Sequence, residues 1–456
     1  MNKTNITDMT VGSPTKHILK FTLPLLIGNL FQQFYNMVDS LIVGNFVGSN
    51  ALAAVGTCGS VVFLFFSLTS GLAIGIGVIA AQYFGAKDDE KVKTTIANSF
   101  YVLTISSVLV SLIGIIFAPL ILKLLQTPSS IINDSVIYMR TTCAGIIAIA
   151  FYNGVAAILR ALGDSKTPLY FLILSSIINV VLDLLFVLSF HWNVFGVALA
   201  TIISQFVCAV GCIYYAFKKV PYFNLTKKQL RPHRIIILQT FKAGIPLALQ
   251  NALIAVSCMV LQGVVNSFGE TIMASYTINM RIEQLVQQPY SSLGMALTTY
   301  SGQNMGAGDL ARVKKGLHRA TFIVLIFSLI LLPNAWLFSE NIVGFFVKDP
   351  SVIDIASKAL KITSIFYFGL GMIYVPRAIL NGAGDTGFAM INGLSEVLCR
   401  IILSQIFTRI PLFSYWGIWI TTGFTWTITA TVCIIRYKTG KWKTKSLINL
   451  SKDVSE

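Results

Sequence analysis

Residues 82–88, Gln82-Tyr83-Phe84-Gly85-Ala86-Lys87-Asp88, return 221 residues later as Gln303-Asn304-Met305-Gly306-Ala307-Gly308-Asp309. Leu159 and Gly163-Asp164 recur at the same interval as Leu380 and Gly384-Asp385, and Gly196 recurs as Gly417. Pro24 and Asn29 pair with Pro246 and Asn251 at 222, so one residue is gained or lost between the landmarks. A period held over most of a 456-residue chain marks an internal duplication. Within the repeated loop, Gly85 and Gly306 are expected to take positive φ where a helix stops. Asp88 and Asp309 then fall near the start of the next helix, whose dipole favours a carboxylate. The motif reads as structural punctuation.

Long apolar runs surround these loops, at 18–43, 51–80, 94–122, 135–160, 168–190, 195–217, 235–265, 272–300, 317–338, 355–380, 388–410 and 415–436. Each exceeds the ~20 residues that a helix needs to cross hydrocarbon. The short alternating strands of a membrane barrel are absent. In lipid the backbone must satisfy its own hydrogen bonds, so the runs are helices. The expected fold is an all-α integral membrane protein of twelve transmembrane helices in two pseudo-symmetric six-helix lobes. Six is even, so both halves enter the membrane with the same orientation, as parallel repeats with a cavity between the lobes. The expected domains are an N-terminal lobe at 1–220, a cytoplasmic linker at 221–234, a C-terminal lobe at 235–438 and a cytoplasmic tail at 439–456.

Composition agrees. Only 11% of residues are charged and 55% are apolar, with a mean hydropathy of +0.74. An ordinary soluble domain carries about 25% charge, and a chain this apolar is not disordered. The net charge of +16 raises the question of nucleic acid. With the N-terminus placed inside, however, 26 of the 34 cations fall on cytoplasmic connections, from Lys3 to Lys452. That asymmetry orients a multi-pass protein of the cell membrane, both termini cytoplasmic. The cations suit anionic lipid, not nucleic acid. The first apolar run is interrupted by Gln32, Gln33, Asn36 and Asp39 and does not read as a cleaved signal peptide. The seven Cys lie in or beside spans, without a zinc or disulfide spacing.

Charges inside the spans need a reason, since an ionised carboxylate at the bilayer centre costs roughly 2.5–3.5 kcal/mol on insertion scales. Gln32, Tyr35, Asn36 and Asp39 fall at i, i+3, i+4 and i+7, one polar stripe on the first span. Asn179 and Asp183 share a face of the fifth span. Two carboxylates, an amide oxygen and a hydroxyl from the sixth span form a hard oxygen site for Na⁺, or a proton-sharing pair. Arg281 and Glu283 lie two apart in the eighth span and cannot share a face. Together with Gln32 and Asn36 they are candidates for the substrate cavity, where Glu283 would attract cations.

The six-span halves, the loops at 82–88 and 303–309, ILRALGDSKTP at 158–168, ILNGAGDTG at 379–387 and LPLLIGNLFQQFYNMVDSLIVG at 23–44 together resemble the multidrug and toxic compound extrusion (MATE) family. The resemblance covers essentially the whole chain. It implies a secondary antiporter that exports cationic or amphipathic organic compounds in exchange for H⁺ or Na⁺ by alternating access, with no cofactor beyond the coupling ion. Several prokaryotic members carry Tyr-x3-Asp in the first span, Asn-x3-Asp in the fifth and Thr in the sixth. Tyr35, Asp39, Asn179, Asp183 and Thr201 match that pattern and are the implied cation-binding set, with Na⁺ the only metal it would hold. At the duplicated positions stand Arg400 for Asn179, Ser404 for Asp183, and Val260 or Leu261 for Asp39. The site is therefore expected in the N-terminal lobe alone. Glu396 and Arg400, at i and i+4, are expected to neutralise each other. Other members place carboxylates in the seventh and tenth spans, which this chain lacks.

The alternative reading is a lipid-linked precursor or polysaccharide flippase of the same wider superfamily, which calls for a more cationic cavity. An intramembrane enzyme would need a catalytic cluster, and no HExxH or Gly-x-Ser-x-Gly motif is present, so none of the residues is assigned as catalytic. The expected partners are small-molecule substrates, the coupling cation and membrane lipid, with the chain acting as a monomer. Pro24 stands above the polar stripe as a candidate hinge, where a kink would let protonation of Asp39 reshape the first span. Pro24→Ala should then lower export in a whole-cell dye-efflux assay, and unchanged efflux would remove the kink from the cycle.

Overall fold

A computed structural model describes residues 5–448. Lys3 and Lys452, counted above among the cytoplasmic cations, and the end of the 439–456 segment lie outside the described residues. Among the described residues the chain forms fifteen α-helices and no strand. In the first half these are α1 (Pro14–Ile42), α2 (Ser49–Gly85), α3 (Asp89–Leu124), α4 (Ile132–Ala144), α5 (Ile146–Ala161), α6 (Lys166–Leu184) and α7 (Asn193–Lys219). In the second they are α8 (Arg234–Asn266), α9 (Glu270–Gly306), α10 (Leu310–Leu337), α11 (Ser339–Gly344), α12 (Pro350–Ser364), α13 (Tyr367–Gly382), α14 (Gly387–Arg409) and α15 (Gly417–Lys438).

Among the described residues, eight helices are long and apolar enough to cross a membrane alone. Two further spans are bent pairs, α4 with α5 at 41° and α12 with α13 at 49°. These are the apolar runs at 135–160 and 355–380, each split by a bend. At the first break Gly145 N–H donates to Thr142 O, and at the second Phe366 N–H donates to Thr363 O. A tightened i→i−3 bond at each point lets the axis turn. The last two spans, α1 and α9, are 29 and 37 residues long. Their polar residues, Gln32 to Asp39 in one and Arg281 to Gln288 in the other, keep them from the apolar class. The total is the twelve-helix, two-lobe fold.

The duplication extends to helix ends: α2 and α9, like α5 and α13, begin and end 221 residues apart. The repeated loops do stop helices, but not as expected. Gly85 and Gly306 are the last helical residues, and positive φ falls two residues later, at Lys87 (59°) and Gly308 (73°). Asp88 N–H then reaches back to Tyr83 O, and Asp309 N–H to Asn304 O, which satisfies orphaned carbonyls. Each Asp carboxylate also accepts from the backbone N–H three residues on, Lys91 or Arg312, at 2.9 Å. Such caps contribute about 1 kcal/mol.

The chain divides into two compact units. The first contains residues up to Asp8 and Leu23–Leu249, so it includes the first half of α8. There a Cβ on Gly71 would strike the Ala248 backbone, so the absence of a side chain sets how closely α2 and α8 approach. His233 N–H, just before α8, donates to Asn98 Oδ1 at 2.7 Å. Cys58, Val62, Phe65, Val110, Met139, Cys143 and Ile146 form an apolar core joining α2 to α5.

The second unit contains Met9–Thr22 and the described residues from Gln250 onward. Here the repeated loop is also a clasp. Met9 N–H donates to Gln303 Oε1 at 2.8 Å, and Arg312 donates to Met9 O and Gly12 O at 2.8 and 3.0 Å. The second duplicated loop is held by Asp385, which accepts two bonds from Arg436 at 2.7 and 2.9 Å.

These loops yield a paired test. Lys87 already places a side chain where Gly308 sits in the copy, and the space around Gly308 is open. Gly308→Lys should shift the thermal midpoint of the detergent-purified protein by no more than ~3 °C. Gly163→Lys should instead deplete folded protein, because φ there is +85° and a Cβ would meet the Thr7 carbonyl.

Candidate functional site

Within the first unit, three helices bring the polar residues of the spans together. The helix α1 carries Tyr35 and Asp39 one turn apart, α6 carries Asn179 and Asp183 one turn apart, and α7 carries Thr201. Asn179 and Asp183 are fully buried and Asp39 is half-buried. The Asp39 and Asp183 carboxyl groups face one another within hydrogen-bonding reach. Tyr35 stands within electrostatic range of both. Asn179 Nδ2 donates to Thr201 Oγ1 at 3.4 Å, and Thr201 Oγ1 donates to Val197 O at 3.2 Å.

That arrangement turns one Asn179 N–H and the Thr201 hydroxyl away from the acids. Asp39 Oδ1, Asn179 Oδ1 and both carboxylate oxygens of Asp183 are buried and accept no hydrogen bond from the protein. Buried polar atoms are rarely left so, because each costs about 1–3 kcal/mol, and more when charged. Two ionised carboxylates cannot bond to each other, since neither brings a donor. One proton shared between them, or one hard cation, would satisfy the set.

Both acid-bearing helices end in a widened turn. A π-helical turn, Val43–Val47, follows Asp39, and another, Leu185–Ser189, follows Asp183. Gly48 N–H donates to Val43 O at 3.0 Å and Phe190 N–H to Leu185 O at 3.2 Å, each five residues back. Such turns are frequent at functional sites. The copy of the first helix closes the other way: after α8, Ser267 and Phe268 donate to carbonyls only three residues back.

The other candidates are placed differently. Gln32 and Asn36 lie on the same stripe but are exposed, and no side-chain hydrogen bond joins them to the acids. Pro24 is buried, and α1 continues through it as one helix. In the second unit Arg281 is exposed, while Glu283 is turned toward Thr363 and Arg400. Those two residues are therefore separated. Sequence reasoning missed Tyr138, which α4 holds within electrostatic range of Asp39 and Tyr35. Nothing in its own span marks it, since only the packing of α4 beside α1 reveals the contact.

Known proteins resemble this chain over most of its length. The family model described as MatE matches residues 24–185 and 246–406, one segment in each copy. The chain is similar to a probable multidrug resistance protein, YpnP, of Bacillus subtilis (strain 168), with 30% identity over 96% of this chain and 98% of that one. It is also similar to the multidrug export protein MepA of Staphylococcus saprophyticus, at 24% identity over 93% and 92%. Among solved structures, an outward-facing multidrug resistance MATE family transporter of the MOP superfamily superposes with a TM-score of 0.91. That likeness has 23% identity and covers 97% of this chain and all of the other. A MATE crystal structure in the bent conformation gives 0.90, also at 23%, over 98% of this chain and all of the other. These two likenesses concern the fold.

The orphaned oxygens make a prediction about stability. Replacing a buried charge by a neutral isostere removes its desolvation cost, and an amide at 183 would bring a donor to Asp39. Asp183→Asn should therefore keep or raise the thermal midpoint of the purified protein. A drop of more than ~3 °C would mean that the carboxylate is already satisfied.

Proposed function

Because the chain belongs to the MATE family of multidrug efflux transporters, we propose that it is a secondary antiporter that exports cationic or amphipathic organic compounds in exchange for H⁺ or Na⁺. The observation that supports this reading is the set of four buried oxygens on Asp39, Asn179 and Asp183 that lack any donor. An all-oxygen donor set suits a hard cation such as Na⁺, and a close carboxylate pair suits a proton. Tyr35 and Thr201 complete the set from the turn above Asp39 and from α7. The coupling ion is the only small co-reactant this reading requires. The positive charge on the connections supports a cell-membrane protein with both termini inside, working as a monomer among lipids.

Exchange follows from differential binding. Two like charges ~4 Å apart at an effective dielectric of ~20 repel by about 4 kcal/mol. Loading one cation relieves that repulsion and draws α1 toward α6 and α7. A ligand shifts a conformational equilibrium only by its difference in affinity for the two states. The coupling cation favours the state in which the three helices are drawn together. A cationic substrate favours the other, in which an unneutralised acid pair attracts it. Neither binds well while the other is bound, so the two move in opposite directions.

The test uses the purified protein in vesicles carrying a permanently cationic dye, with either ΔpH or ΔNa⁺ imposed. Dye movement against its gradient should follow one of the two ions. Asp39→Asn should abolish it with protein abundance normal, and wild-type exchange by that variant would sink the reading.

A further inference from the structure

The second unit repeats the frame of the acid site and changes what fills it. Thr422 stands 221 residues after Thr201 and donates to Ile418 O at 3.2 Å, as Thr201 donates to Val197 O at 3.2 Å. Ser404, fully buried, takes the place of Asp183. The place of Asp39 is settled by the π-turn. Asn29 pairs with Asn251 at 222, but Gly48 pairs with Gly269 at 221, so the extra residue lies between them. Gly48 and Gly269 both have positive φ and both precede the next helix. A π-helical turn accommodates one extra residue within a helix, and the turn at Val43–Val47 lies inside that interval. Asp39 therefore corresponds to Leu261, Asn36 to Cys258 and Tyr35 to Ser257. Leu261 is fully buried in an apolar cluster with Ile272, Tyr276, Ala359, Ile418 and Trp419.

At the place of Asn179 stands Arg400. Its guanidinium is buried, donates to Glu396 Oε1 at 3.2 Å, and reaches across from α14 to Cys258 Sγ on α8, also at 3.2 Å. The path repeats that of the first unit, where α6 reaches α1. One unit therefore meets its first-span helix with two acids, the other with a fixed positive charge.

We propose that Arg400 is a tethered cation: its guanidinium holds in the second unit the position that corresponds to the exchangeable cation of the first. This fixes the second half in one charge state and confines ion coupling to the first. The inference rests on the reading of Asp39 and Asp183 as the exchange site. The groups facing Arg400 are Cys258 on α8, Tyr276 and Glu283 on α9, and Glu396 on α14. Glu396 is approached in turn by Tyr374, Cys399 and Cys433. Removing the guanidinium leaves Glu396 facing α8 without its partner, and a free cation then takes the vacated role.

The test is the limiting dye gradient in vesicles at zero membrane potential, with a tenfold gradient of whichever ion drives the wild type. Each exchanged cation then sustains roughly a tenfold dye gradient. Arg400→Gln should raise the limit about tenfold, by adding one coupled cation, while Arg400→Lys keeps the wild-type limit. Glu396→Gln combined with Arg400→Gln removes both charges and should return to the wild-type limit. An unchanged limit in Arg400→Gln overturns the proposal. If Arg400→Gln does not fold, the double variant decides: a wild-type limit supports the tethered charge, and an inactive protein overturns it. Asp39→Asn in the same vesicles reads the first site alone. If it still exchanges, the reading of that site fails. If it does not exchange and Arg400→Gln is unchanged, only the tethered cation falls.

Discussion

In a chain this apolar, a backbone that leaves its hydrogen bonds unmade has no water to turn to. That constraint explains why the described residues form helices and no strand, and why the duplicated loops return donors to carbonyls where their helices stop. The repeated loops do this twice over. Lys87 and Gly308 turn the chain left-handed so that Asp88 and Asp309 can bond backward with their N–H groups and forward with their carboxylates. Where a span bends, at Gly145 and Phe366, the backbone tightens and does not open. Among the buried side-chain atoms that lack a partner, the oxygens of Asp39, Asn179 and Asp183 differ in being gathered at one place and in including two carboxylates.

The duplicated halves then act as each other's control. They share the bounds of α2 and α9 and of α5 and α13, the aspartate caps of the repeated loops, and the threonine that bonds one turn back in α7 and α15. They differ in the few side chains that decide local charge. Where one unit sets Asp39 against Asp183, the other sets Leu261 into an apolar cluster and lets Arg400 pair with Glu396. A common backbone frame thus supports two electrostatic states, and the difference lies in side chains, not in topology.

Much of this was legible in residues alone. Twelve apolar runs, the 221-residue period and the acids at 39 and 183 all follow from local pattern, since a membrane penalises polarity wherever it occurs. The Glu396–Arg400 pair was legible for the same reason, because i and i+4 meet on any helix. Other features depend on contacts distant in sequence. Tyr138 belongs to the acid site only because α4 packs beside α1, and the groups that Glu283 meets, Thr363 and Arg400, come from other helices. The left-handed residue of each loop was misplaced by two positions. A glycine advertises positive φ, and at 87 a lysine takes it, held there by the bonds around it. The second use of the 303–309 loop, gripping Met9 and Gly12, was also invisible, since it joins residues some 300 apart.

The π-turn at Val43–Val47 has a historical meaning as well as a mechanical one. An added residue rotates everything beyond it by about 100° about the helix axis, and a helix that keeps its ends in place must absorb that rotation as a bulge. The slip from 222 to 221 in the repeat is the written trace of such an event, in one twin and not the other. Duplicate genes are usually told apart by their substitutions. Here the helix itself records, in its hydrogen bonding, an insertion or deletion that distinguishes the half carrying the acid pair from its copy.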